Sequence, residues 1–249
     1  MSDADNLPTH EAEDLDAYHV LGGDAVPTIV GQVADGRPVE FVWRSEVGGL
    51  TFRTGDRYVK WYPTDTGIVL AREGARLEWI SKRHPAPRVV EYGSDGGAEW
   101  LVTEALPGGH AVGAEWRARR SEAIRAIATG LRAIHRIPIE DFPSRWTSEA
   151  WVTRTPTSLD PRPPLDDPVL VHGDACAPNT LIAPSGEWTG NVDFGDLSIG
   201  DRWADLAVAS MSLDWNFGRG HQREFFDSYG IEPDKQRVAY YRALWDLES

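Results

Sequence analysis

The 249-residue chain is poor in thiols, with one cysteine, Cys176. A single thiol excludes an intramolecular disulfide framework and a cysteine-based zinc site. No run of about 18 apolar residues is present, so no transmembrane helix is expected. The opening residues, MSDADNLPTHEAEDLDAY, are acidic and lack the basic start and apolar run of a secretory signal. These absences lead to the expectation of a soluble, cytoplasmic protein with no membrane partner. Basic residues are outnumbered: 25 Lys and Arg face 39 Asp and Glu, a formal net charge of −14. That field repels phosphate backbones and argues against a nucleic-acid partner. It either attracts cationic small molecules or only keeps the protein soluble. Several familiar motifs are also missing. There is no G-x-x-x-x-G-K-[ST] loop, no G-x-G-x-x-G after a strand and no G-x-S-x-G elbow; HEAED near the N-terminus lacks the second histidine of H-E-x-x-H.

What is present suffices for a substantial core. The hydrophobic content of 41% and eleven Trp allow one domain or two lobes sharing a cleft. Residues 1–19 read as an acidic flexible tail. From Val26 to Tyr62 the texture is β. PVEFVWR and LTFR flank SEVGG (Ser45–Gly49), and TGD turns the chain into RYVKWY, a small sheet of hairpins. Leu70, Glu73, Leu77 and Ile80, spaced 3, 4, 3, define one face of a helix between Gly67 and Arg83. Two more strands follow, in RVVEYG and in Glu99–Leu106, and PGGH ends the second. A helix from Glu115 to Ile137 carries the apolar stripe Trp116, Ile124, Ile127, Leu131 and Ile134. Thr153–Pro168 is proline-rich loop. Strand, loop and strand cover VLVHGDACAPNTLIA (Val169–Ala183), GEWTGNVDFG gives another strand, and three helices close the chain. The expectation is an α+β fold with a β-rich lobe over 20–103 and a mainly helical lobe over 104–249; clefts between lobes favour ligands.

Some of these residues are costly without a role. Glu73 sits within an apolar stripe, where a carboxylate must be paired unless it lies at the solvated margin. Alternation places Tyr58, Lys60 and Tyr62 on one face of RYVKWY, so Lys60 is its candidate partner. Asp174 and Asn179 in HGDACAPN, with Asp193 in VDFG, come from consecutive hairpin elements and can converge. Two Asp and one Asn are hard oxygen donors suited to Mg²⁺; residues of this kind also cap turns in ordinary loops.

Taken in order, the hairpin sheet, strand lysine, helix glutamate, H-G-D-x-x-x-x-N and hydrophobic-D-F-G resemble the aminoglycoside phosphotransferases, which share the protein-kinase fold. The similarity is greatest to the 3′-phosphotransferases of the kanamycin and neomycin type. It is densest in HGDACAPN, GEWTGNVDFG, DRWADLA and SYGIEPDKQRVAYYRALWD, and weaker in RYVKWY, EGARLEWI, WLVTEALPG and LRAIH. The resemblance implies an enzyme that uses ATP and Mg²⁺ to phosphorylate a hydroxyl of a small, polycationic acceptor, in a monomer or weak dimer. It implies Asp174 as the catalytic carboxylate and Asn179 and Asp193 as metal ligands. Lys60, held by Glu73, would grip the phosphates under a loop containing Gly48 and Gly49. Tyr58 would stack on adenine, and the backbone from Thr103 to Ala105 would pair with its edge. His172 and Asp205 would support the catalytic loop.

Three departures concern the acceptor. Only Arg136–Val171, 36 residues, separates His135 from His172, where the 3′-phosphotransferases carry a longer helical insert. Asp196 stands where an arginine commonly follows D-x-G. In the C-terminal ALWDLES, Trp245 replaces one acid and Asp246 keeps another, so Asp196 and Asp246 are the candidate substrate contacts. A kinase acting on another metabolite and a non-catalytic nucleotide-binding relative are the alternatives.

Overall fold

The computed structural model describes residues 26–159, 161–165 and 167–248. The acidic stretch 1–19 lies outside them. Five antiparallel strands, β1 (Glu40–Arg44), β2 (Leu50–Thr54), β3 (Arg57–Pro63), β4 (Val89–Ser94) and β5 (Ala98–Glu104), form one sheet in the order β1-β2-β3-β5-β4. The pleat sorts β3 as its alternation predicts. Val59 is buried with Phe41, Leu50, Phe52 and Val102 in a small core on one face, while Lys60 bonds to groups on the other.

The chain before this sheet departs from the expected β texture. Thr28–Ala34 form a helix, α1. Its β-branched residues favour a strand locally. Val30 and Ala34, four apart, are instead both buried, Val30 within the small core. Tertiary packing thus overrides propensity.

On the other side of the sheet lies α2 (Leu70–Ile80). Leu70, Glu73, Leu77 and Ile80 are all buried, as their spacing predicts. The helix starts three residues later than expected because Gly67, at φ 74°, ends a short 3₁₀ turn over Thr64–Thr66. The single helix expected from Glu115 to Ile137 is two, α3 (Ala114–Ala118) and α4 (Arg120–Ile134). They are broken at Arg119, whose Nε donates to Glu122 Oε1 at 2.8 Å. The stripe nevertheless packs as one surface: Trp116, Ile124, Ile127, Leu131 and Ile134 are all buried. Within the 36-residue span, Ser144–Glu149 form a short helix, α5.

Five short strands build two small ladders in the C-terminal part. β6 (Gly109–His110), formed by residues read as a terminating turn, pairs with β8 (Thr180–Ile182), and β8 pairs with β9 (Trp188–Asn191). β7 (Val169–Val171) pairs with β10 (Ser198–Gly200). The expected strand-loop-strand around HGDACAPN is therefore not a hairpin. Residues 172–179 cross from the β7/β10 ladder to the β6/β8/β9 ladder, and residues 192–197 cross back. Both polar segments are crossings between the same two ladders, and that is why they meet. Helices α6 (Arg202–Phe217), α7 (Gln222–Tyr229) and α8 (Lys235–Glu248) complete the fold. One large core joins α2, β5, α4, α6, α7 and α8.

Leu131 is 1% exposed in that core, whereas Arg125 on the same helix is exposed. Urea unfolding is expected to show Leu131→Ala destabilised by about 2–5 kcal/mol. Arg125→Ala should stay within about 0.5 kcal/mol of the parent.

Candidate active site

The crossing loops bring Asp174, Asn179 and Asp193 together. Asn179 Nδ2 donates to the Asp174 carbonyl at 3.0 Å and to Asp174 Oδ2 at 2.8 Å. This fixes the amide and turns its Oδ1 away from Asp174. Asp174 Oδ1 is buried and has no N–H or O–H partner. Asp193 lies two residues beyond the end of β9, at φ 64°. A non-glycine residue in this left-handed region costs about 1–3 kcal/mol, and Asp tolerates it better than most.

Across the cleft, Lys60 Nζ donates to Glu73 Oε1 at 2.8 Å and to Asp193 Oδ1 at 2.9 Å. Burial alone would lower the lysine pKa. The charges of Asp193 and Glu73 more than reverse this, so Lys60 is raised and stays an ammonium. Burial raises Glu73, with Lys60 opposing. The two carboxylates at the crossings are driven apart. Burial would raise Asp193, but Lys60 outweighs it and holds Asp193 below the ordinary range. Asp174 has no such cation: burial and then the charge of Asp193 push it up. A raised carboxylate beside a lowered one is a usual division into proton acceptor and charge holder.

A buried scaffold sets the loop that carries Asp174 and Asn179. Asp205, on α6, accepts from the backbone N–H of His172 at 2.7 Å and of Gly173 at 3.0 Å. Its Oδ2 also meets His135 Nε2 at 2.9 Å, and His135 Nδ1 meets the Tyr229 hydroxyl at 2.8 Å. His172 spans the loops. Its Nε2 donates to the Val192 carbonyl at 2.9 Å, and its Nδ1 accepts from the Asp174 N–H at 3.2 Å. Those partners select the neutral tautomer protonated on Nε2. Gly173, at φ 85°, has no room for a Cβ, which would collide with the Asp196 backbone. His135 was visible in the sequence only as the last residue of LRAIH; its pairing with Asp205 spans 70 positions.

The other expected site residues are placed as follows. Tyr58 and Thr103 are cross-strand neighbours at the β3–β5 pair, and the Arg53 guanidinium lies 5.8 Å from the Tyr58 ring centroid. The N–H of Ala105 donates to the Asp56 carbonyl at 2.9 Å, so an adenine edge would have to exchange with that bond. SEVGG forms a tight turn in which the Gly49 N–H donates to Ser45 Oγ at 2.8 Å. Tyr62, which sequence reasoning put on the Lys60 face without a role, packs its ring against Gly49 where a Cβ would collide. Asp196 is exposed; partial desolvation and then the charges of Asp174 and Asp193 raise it, with Arg76 opposing. Asp246 is exposed on α8 and faces Arg242. Cys176 flanks Asp174; burial and then that carboxylate's charge keep its thiol protonated, so it is no nucleophile.

Among the described residues no three His, Cys, Asp or Glu side chains form a metal-holding group. The Asp193 carboxylate and the Asn179 amide oxygen, which Asn179 Nδ2 leaves facing away from Asp174, fit instead a hard cation such as Mg²⁺, which keeps water and phosphate oxygens as its remaining ligands.

Burial would raise Asp205, yet its bond to His135 and the charges around it hold it below the ordinary carboxylate range. A depressed folded-state pKa stabilises above the unfolded value, about pH 4, and that contribution is lost as pH falls through the folded value. Asp205→Asn is therefore expected to unfold at lower urea than the parent at pH 7, by about 1.5–3 kcal/mol. The gap should narrow only below about pH 4.

A model of the phosphotransferase enzyme family matches residues 45–158 and 149–241. An aminoglycoside 3′-phosphotransferase of Streptomyces fradiae is 34% identical, covering 73% of this chain and 81% of its own length. A streptomycin 3″-kinase of Streptomyces griseus is 30% identical, covering 91% of this chain and 97% of its own. Among solved structures, an aminoglycoside-3′-phosphotransferase of type VIII superposes with a TM-score of 0.65 at 26% identity, covering 87% of this chain and 96% of that one. An aminoglycoside phosphotransferase, APH(3″)-Id of Streptomyces rimosus, superposes with a TM-score of 0.66, covering 88% and 96%. The two-lobe, protein-kinase-like α+β fold is thus the one these structures share. The matched family model, the level of identity and the shared fold place the chain in one group: it belongs to the phosphotransferase enzyme family.

Proposed function

We propose that this protein transfers the γ-phosphate of ATP, with Mg²⁺, to a hydroxyl of an aminoglycoside, the 3′-hydroxyl first. The observation that carries the reading is the shared Lys60 ammonium, bonded to Glu73 and Asp193, beside a buried Asp174 oxygen with no N–H or O–H donor.

Phosphoryl transfer needs positioning and charge compensation more than covalent help. Lys60, held by Glu73, has a compact cation to offer the α- and β-phosphates. Asp193 and Asn179 would hold Mg²⁺, which neutralises charge building on the transferred phosphoryl group. Gly48 and Gly49 present backbone over the phosphates, with Tyr58, Thr103 and Ala105 at the adenine end. Asp174 Oδ1 accepts the hydrogen bond of the acceptor hydroxyl and takes its proton as the oxygen bonds to the γ-phosphorus and ADP leaves. His172 and Asp205 keep that carboxylate in place.

The acceptor side is anionic. Asp174, Asp193 and Asp196 lie close enough for their charges to act on one another, in a chain of net charge −14, which favours polycationic ligands. Asp246 would extend this surface only at its exposed margin. A streptomycin 3″-hydroxyl is the second reading. It is favoured by the matched length: the streptomycin kinase aligns along 97% of itself, the 3′-enzyme of Streptomyces fradiae along 81%. No helix among the described residues is long and apolar enough to cross a membrane. We place the enzyme in the cytoplasm, where ATP is found, as a monomer or weak dimer.

ATP consumption should rise when kanamycin, neomycin or streptomycin is added, with choline as the non-aminoglycoside comparison. Asp174→Asn should lower that turnover by roughly 10²–10⁴-fold while still binding ADP. Stimulation by choline alone would overturn the acceptor assignment, and full turnover in Asp174→Asn would overturn the mechanism.

A further inference from the structure

Arg76 is on α2, one turn after Glu73, and is 5% exposed. Residues three apart on a helix point to the same side. Glu73 uses that side to hold Lys60. Arg76 reaches across to the second crossing loop, where Nη1 donates to the Gly195 carbonyl at 2.5 Å. Its guanidinium lies over the Trp146 ring of α5, 5.8 Å from the centroid. The charged groups facing it are Asp196, Glu149, Arg72 and Glu73. A buried guanidinium is expensive unless its donors are met; the Gly195 carbonyl meets one of them, while Nε has no hydrogen-bond partner and the exposed Asp196 acts on it only through space.

The segment so gripped contains the strained residue of the site. Asp193 is held at φ 64° and sends its carboxylate back to Lys60. Strained backbone persists only where its surroundings over-determine it. Lys60 fixes the side chain of Asp193, and Arg76 fixes the carbonyl two residues later. Both grips lead to the same helix, Lys60 through Glu73 and Arg76 directly. Helix α2 therefore spaces the phosphate-binding lysine against the metal-binding carboxylate.

We infer that Arg76 is a positioning residue for phosphoryl transfer, clamping the Asp193–Asp196 turn to α2 so that Asp193 presents its free oxygen to the metal. The inference rests on the nucleotide- and metal-dependent reading above. It adds a residue that touches neither phosphate nor metal. Outer partners of metal ligands typically contribute about 10–100-fold in metal affinity.

The test is Mn²⁺ binding, followed by electron paramagnetic resonance in the presence of ADP, with ADP binding in the absence of divalent metal measured separately. Arg76→Met is expected to raise the Mn²⁺ half-saturation concentration by about 10-fold or more, with metal-free ADP affinity unchanged. Arg76→Lys keeps the charge and a nitrogen able to donate to the Gly195 carbonyl, and should fall between Arg76→Met and the parent; it carries the test if Arg76→Met does not fold. A merely structural role would weaken metal-free ADP and Mn²⁺ binding together, and that result overturns the inference, as does an unchanged Mn²⁺ curve in a folded variant. If the parent itself binds ADP but no Mn²⁺, the metal-dependent reading falls and the inference falls with it.

Discussion

The Lys60 ammonium is the interaction on which the site depends. It sits on the inner face of the five-stranded sheet and is shared between a helix carboxylate and a carboxylate from the opposite crossing loop. A half-buried cation there is costly alone, and the two anions beside it offset that cost. The arrangement still leaves a surplus of negative charge, since the charges of Asp174 and Asp196 act on the same site. A cleft with that surplus suits a divalent cation on one side and an ammonium-bearing ligand on the other. The charge imbalance that first set this chain apart thus has a local counterpart in the site.

Two ladders convert this charge pattern into geometry. The polar segments 172–179 and 192–197 are the outward and return crossings between the same pair of small sheets. They lie side by side. Asp205 and His135 then pin the first crossing from α6 and α4, while His172 ties it to the second through Val192. This frame leaves one oxygen of Asp174 without an N–H or O–H donor. Buried carboxylate oxygens are seldom left so unless a ligand supplies the partner.

Much of this was legible in the residues. The alternation of RYVKWY placed Lys60 on the face away from Val59, and the 3, 4, 3 spacing put Glu73 in the buried stripe of α2. Local periodicity carries such information because it reflects a single element. What stayed hidden was decided between elements. The TIV of α1 reads as strand until the sheet beneath it is known. Gly109–His110 form a strand only because β8 lies alongside. His135 finds Asp205 across 70 positions and Arg76 finds Gly195 across 119. In the sequence, Arg76 is one arginine among many in a charged helix. The residues proposed to hold the phosphates fall in short motifs; those proposed to meet the acceptor, Asp196 and Asp246, have no comparable signature.

The account is tested most directly by a crystal structure with ADP and Mn²⁺, located by anomalous scattering. It predicts one metal peak within about 2.0–2.4 Å of oxygens from Asp193 and Asn179, with Lys60 still bonded to Glu73 and Asp174 Oδ1 outside the metal shell, facing the acceptor side. A metal bound through Asp174 without Asp193, or a nucleotide bound with Lys60 turned away from its phosphates, would contradict it.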